Sequence, residues 1–157
     1  MKSLRVAASL LLIFSLIGMM SCHKKTPEKQ LTEQQKQAKL LAGTWTTSSV
    51  DQLPSGIDAS VISDLSFTFN VDPDYNPTTF AASGANDFFS SQSSSTWAFS
   101  GSSTTVVTLS NLTSSITQLQ INSLSETSLS VTFTYVTTSA RARVEKLDGD
   151  YTLTLGK

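Results

Sequence analysis

The stretch ETSLSVTFTYVTT, residues 126–138, sets Leu129, Val131, Phe133 and Tyr135 at every second position and fills the places between with Ser and Thr. Period two is the spacing of side chains on one face of a β-strand. Such a segment buries one face and wets the other. Thr suits the wet face because its branched Cβ fits extended backbone. The pattern recurs in GTWTTSSV (43–50), VISDLSFTFNV (61–71), STWAFSG (95–101), STTVVTLSN (103–111), SITQLQINSL (115–124), ARARVEKL (140–147) and DYTLTLG (150–156). Leu65, Phe67 and Phe69 share one face, and Trp45, Trp97 and Phe99 point inward as anchors. The last two segments are joined across Asp148-Gly149, a dipeptide that tolerates the positive φ of a tight turn. Residues 72–94 read as a long irregular excursion with a short hairpin around Thr78–Ala82.

About eight strands with short links and no helices between them exclude βαβ units. The fold class is all-β: an antiparallel up-and-down β-barrel of about eight strands, with a β-sandwich as the alternative. Sequential hairpins favour the barrel. So does the apolar character of 61–71 and 129–135, since closure removes exposed edges.

A helix is expected at 26–41, with Thr26 as cap, Pro27 in the first turn, Glu28 at the positive end of the dipole and Gly43 as the stop. Before it, MKSLR and the uncharged run VAASLLLIFSLIGMM (6–20) form the basic and apolar regions of an export signal. The run is about 15 residues, short of the roughly 20 that span a bilayer as a helix. It ends in MMSC, with an apolar and a small residue ahead of Cys22, the only cysteine. No disulfide within the chain is possible, and Cys22 is expected to be the lipid attachment site. Several acyl chains, each contributing about 0.8 kcal/mol per buried methylene, anchor durably. The expected organisation is a lipoprotein signal peptide at 1–21, a lipidated tether and helix at 22–39, and a β domain at 40–157.

Residues 40–140 contain no Lys or Arg, seven acids and forty Ser or Thr. A body without cations cannot hold a phosphate backbone, which excludes nucleic acid as a partner. The lysines cluster at 22–39, beside the presumed membrane anchor. His23, the only histidine, stands among them without partner ligands, so neither a Ser–His–Asp triad nor a Cys–His pair can be assembled. Asp72, Asp74 and Asn76 stand at i, i+2 and i+4, like the start of a calcium loop. The positions that would need Gly and Glu hold Pro77 and Ser83, so a plain turn is the stronger reading. Asp51, Asp58, Asp64, Asp87 and Glu126 are scattered over turns with no pairing logic, and NLT (111–113) reads as a turn. No catalytic residue, cofactor or metal is expected.

The leader, the short helix and LAGTW (41–45), followed by FTFN (67–70), TWAFSG (96–101), TVVTL (105–109) and ITQLQINSLSETSLSVTFTY (116–135), resemble the lipocalin-like lipoproteins common in Bacteroidetes. The match covers roughly 40–155. It rests on Gly43 and Trp45, and on Ile121, Leu124, Ser125, Leu129, Val131 and Phe133. The resemblance implies a non-enzymatic lipoprotein of the outer membrane, facing the periplasm or the exterior. It would bind a small apolar or amphipathic ligand, or a protein partner. The alternative is a structural, adhesive or glycan-binding module without an internal cavity, its Trp or Tyr exposed for stacking. Bulky Phe67, Phe69, Phe99, Phe133 and Tyr135 are large enough to fill a small barrel themselves.

Overall fold

A computed structural model describes residues 30–85, 88–89, 91–112, 114–137 and 147–157. Leu31–Lys157 form one compact unit. The helix α1 (Glu33–Leu41) is followed by eight strands: β1 (Gly43–Gln52), β2 (Ser66–Val71), β3 (Pro77–Ser83), β4 (Ser91–Phe99), β5 (Val106–Leu112), β6 (Gln118–Leu124), β7 (Ser128–Tyr135) and β8 (Gly149–Gly156). Each strand pairs antiparallel with the next, and β8 returns to β1, closing an up-and-down barrel. The barrel, rather than the sandwich, is the solution this chain adopts.

Four elements differ from the sequence reading. The strand expected at 61–71 begins only at Ser66, because Val61 ends a 3₁₀ turn (Ala59–Val61) and residues 62–65 belong to the β1–β2 loop. The other three lie elsewhere in the chain. First, α1 starts late. Thr32, not Thr26, is the cap: its hydroxyl accepts from Gln35 N–H at 3.2 Å, and the Gln35 amide oxygen accepts from Thr32 N–H at 2.9 Å. This reciprocal capping box satisfies two of the backbone donors that a helix N-terminus leaves open. Residues 26–29 lie outside the described residues. Second, the excursion at 72–94 supplies the full strand β3 and the start of β4. Third, Asp148-Gly149 is not a hairpin turn. Gly149 opposes Tyr135 as the first residue of β8, and β8 has β7 on one side and β1 on the other. Residues 140–146 are outside the described residues. The eight strands of the closed barrel include β3, which lies between β2 and β4 where the sequence reading has only a short hairpin.

The interior is built from the alternating positions. Trp45, Phe67, Phe69, Phe80, Trp97, Val107, Leu119, Val131, Phe133, Tyr151 and Leu153 are all buried. Several of them stand directly opposite each other across a strand pair: Trp45 and Phe67, Phe69 and Phe80, Trp97 and Leu109, Phe133 and Tyr151. Such cross-strand pairs are the unit of sheet stabilisation. Each fully buried aromatic or aliphatic side chain contributes about 1.5–3 kcal/mol before entropy is counted.

The outer wall carries hydroxyls and amides that pair in the same registers. Thr44 bonds Thr68 at 2.9 Å, Ser66 bonds Ser83 at 2.8 Å and Thr132 bonds Thr152 at 2.9 Å. An apolar interior with a polar wall is the reverse of a membrane-spanning barrel, which turns an apolar band outward. No helix among the described residues is long and apolar enough to cross a membrane.

Candidate functional site

The barrel has two ends. The near end carries α1 and the β2–β3, β4–β5 and β6–β7 turns. Here Gln34 donates to the carbonyls of Gly101 and Ser103 at 2.8 and 2.9 Å, and Gln35 donates to the Asp74 carbonyl at 3.0 Å. Ala38 and Leu41 are buried beneath the helix. Trp45 Nε1 donates to the Leu41 carbonyl at 2.7 Å, satisfying one of the four acceptors a helix C-terminus leaves open. Lys157 Nζ lies 4.4 Å from the Trp45 ring centroid and donates to the Leu40 carbonyl at 2.9 Å. Burial holds the Lys157 amine below its ordinary pKa, with Glu126 acting in the opposite sense. This end is shut by a helix, its cap and the last residue of the chain.

The far end is where a barrel of this type would admit a ligand. It is plugged by Ile62 and Leu65 from the β1–β2 loop, Ala85, Phe88 and Phe89 from the β3–β4 loop, and Ile116 from the β5–β6 loop. Phe89 lies 5.0 Å from Phe67 on β2 and 5.2 Å from Phe133 on β7, centroid to centroid. Strands β8 and β1 separate these two partners, so the Phe89 ring crosses the barrel interior. Phe88 packs 5.0 Å from Tyr151 and 4.9 Å from Tyr135, and its carbonyl accepts the Ser114 hydroxyl. The rings run without a break from Phe99 through Trp97, Phe69, Phe67, Phe89, Phe133 and Tyr151 to Phe88. An eight-stranded barrel is just wide enough for side chains to fill, and this one is filled.

Gly84 makes the plug possible. Its φ is +88°, and a Cβ there would lie 1.8 Å from the Asp64 carbonyl oxygen. The β1–β2 and β3–β4 loops meet backbone to backbone at a point only glycine allows.

The candidate residues of the sequence fall into three groups. Cys22, His23 and Asp87 lie outside the described residues. Trp45 and Trp97 are core residues, with 0% and 3% of their surface exposed, so neither can stack on a glycan. Asp72, Asp74 and Asn76 meet in the β2–β3 turn. Asp72 accepts from Asp74 N–H, Asn76 N–H and Asn76 Nδ2, each at 2.8 Å. Its oxygens are committed to the turn. Tyr75 sits in the left-handed region, φ 62°, with Lys39 Nζ 5.0 Å from its ring centroid. No group of three His, Cys, Asp or Glu side chains among the described residues could hold a metal.

Two other carboxylates are perturbed. Asp51 is held below its ordinary pKa by the Thr154 hydroxyl and then by Ser49, at 2.6 and 2.7 Å. Asp58 is lowered by the backbone N–H of Ser60, which its carboxylate accepts as it caps the 3₁₀ turn Ala59–Val61. Both carboxylates are bonded within local structure.

Among the described residues a concavity lies on the outer wall, between β6 and β7 at the far end. It is a half-open groove of about 380 Å³ lined by Val106, Ser115, Gln118, Gln120, Thr134 and Val136 among others. That volume falls in the range of about 300–1,000 Å³ typical of ligand sites. Hydroxyls, carboxamides and methyl groups line it, with no charged side chain. Sequence reasoning missed it because its residues are the wet positions of otherwise regular strands. The one trace was that Gln118 and Gln120 replace the usual Ser and Thr. No family model, no curated protein and no solved structure matches the chain.

Proposed function

We propose that this chain is a non-enzymatic cell-envelope lipoprotein, related to the lipocalin-like lipoproteins, that works through its outer surface by binding a protein partner. Cys22 is the lipid attachment site in this reading, and the anchor holds the barrel at the outer membrane, on the periplasmic or exterior face. The observation that carries the surface role is Phe89 spanning the interior from Phe67 to Phe133. An apolar ligand inside the barrel would have to displace that ring and its neighbours. Burial of both tryptophans weighs against glycan stacking on them. The outer wall keeps a neutral hydroxyl surface and the groove between β6 and β7.

Two measurements test this. Native mass spectrometry of the full chain released from detergent should show the bare polypeptide with its acyl groups. A retained small apolar molecule would overturn the surface reading in favour of an interior ligand. Cys22→Ser should abolish acyl labelling and release the protein from membranes, and unchanged membrane retention would refute the anchor.

A further inference from the structure

Helix α1 takes no place in the barrel ladder. Of its nine residues, Ala38 and Leu41 are buried. Strands β1 and β8, by contrast, each have a partner strand on both sides.

The further contacts of α1 with the near end run through side chains. Gln34 donates to the Gly101 and Ser103 carbonyls. Gln35 donates to the Asp74 carbonyl and, at 3.3 Å, to Asn76 Oδ1, and Lys39 lies over the Tyr75 ring. At the other end of the helix, Lys157 takes the Leu40 carbonyl and the Trp45 indole takes that of Leu41. Hydrogen bonds at a surface are exchanged for bonds to water, so each contributes little net. An isolated helix needs about 12–15 residues to persist in water. Helix α1, with nine, keeps its form only while it is docked. Its undocking and its melting are therefore one event.

The junction with the barrel is sharp. Ala42 caps α1, and Gly43 opens β1 with φ +119° and stands opposite Phe69. Trp45 pairs with Phe67 two residues on, and Thr46 and Thr47 meet Gly156 and Leu155 of β8. None of these rungs involves α1, so its departure leaves the ladder closed. The direction of attachment also counts. The chain enters α1 through its cap Thr32, ten residues after Cys22. Tension from that side falls first on the bonds of Gln34 and Gln35 and reaches the ladder last.

We propose that α1 is a strap: it peels from the near end as one unit while the barrel stays closed, and so adds its nine residues to the tether behind Cys22. As a helix those residues span about 13 Å, and extended they span about 30 Å, so the tether gains about 17 Å of reach. A barrel anchored through Cys22 then meets partners farther from the membrane surface. The lengthening rests on the lipid-anchor reading above, and the peeling does not.

Native-state hydrogen exchange of the isotope-labelled full chain in detergent micelles tests the strap. The amides of α1 should exchange through an opening that low denaturant does not accelerate, about tenfold or more faster than those of the β7–β8 ladder. The Trp45 indole proton should exchange in step with them, because its acceptor is the Leu41 carbonyl. Gln34→Ala removes two bonds and leaves the capping box intact. It should speed exchange across α1 about tenfold and leave the ladder unchanged. Exchange of α1 and the ladder at one denaturant-dependent rate in the unaltered chain overturns the strap. So does a Gln34→Ala variant that speeds both equally. Local exchange of α1 in a chain that carries no acyl group on Cys22 overturns the anchor and the lengthening, and leaves the peeling standing.

Discussion

At the scale of single residues, buried polar atoms set the terms. Tyr151 is packed between Phe133 and Phe88, and its hydroxyl donates to the Leu147 carbonyl at 2.5 Å. Burial first, then the charges of Tyr135 and Asp148, push its pKa up to about 12. The ordinary value is near 10. The folded state therefore holds this proton more tightly than the unfolded chain. The resulting stability is fully present below about pH 10 and is lost as pH rises toward about 12. Urea melts across that window should show a falling midpoint, and Tyr151→Phe should flatten the fall. An equally steep fall in the variant would place the effect on another group. Asp72 makes a second case. With three donors on one carboxylate, Asp72→Ala should cost about 1–3 kcal/mol. Millimolar calcium should leave the melting temperature of the unaltered chain where it is. A calcium-dependent rise would mean that the turn is a cation site after all.

At the scale of elements, loops do as much as strands. The near end is shut by α1, whose Gln34 and Gln35 reach two different turns. The far end depends on the contact between Gly84 and the Asp64 backbone. Gly84→Ala combines a disfavoured φ with a collision against backbone that cannot swing aside. It should cost about 3–5 kcal/mol, at the severe end for a point change. The check is a denaturation midpoint paired with exchange protection in the 84–89 loop. Loss of protection there, with the barrel ladder intact at low denaturant, would show that the plug opens before the wall. A wild-type midpoint would show that the two loops can separate freely.

At the scale of the whole molecule, the barrel surrounds an unbroken chain of ring contacts. Among the described residues, Phe89 is the ring that reaches from a loop to both β2 and β7. Phe89→Ala should lose about 3–5 kcal/mol, the usual range for emptying a buried phenylalanine site. It should also create an apolar void able to take up a small aromatic molecule such as benzene, as engineered apolar cavities do. Calorimetry with benzene on the variant and the unaltered chain tests this. Uptake by the variant alone places Phe89 as the filler of the interior. Uptake by both would mean that the interior already has room.

Much of the wall was legible in the alternation of residues 66–71, 95–99 and 128–135, because period two is a local property and each segment states its own buried face. Seven of the eight strands could be placed that way. The eighth, β3, lies between β2 and β4 in a stretch that reads from sequence as an irregular excursion with a short hairpin. Pro77, the Thr pair and the Ala pair of β3 carry a weak apolar signal, and its strand state depends on β2 and β4 standing on either side. The turn at Asp72 was legible for the same reason as the strands: a short polar side chain closing on backbone two to four residues away. The groove was not, since Gln118 and Thr134 lie in different strands and meet only where the β6–β7 ladder ends. By itself the sequence determined an all-β body with an apolar interior, a polar wall and no central cation, because composition and periodicity fix what must be buried. The tertiary structure alone decided that the interior is full and that the wall opens between β6 and β7, because both depend on how loops and strand ends distant in the chain fit together.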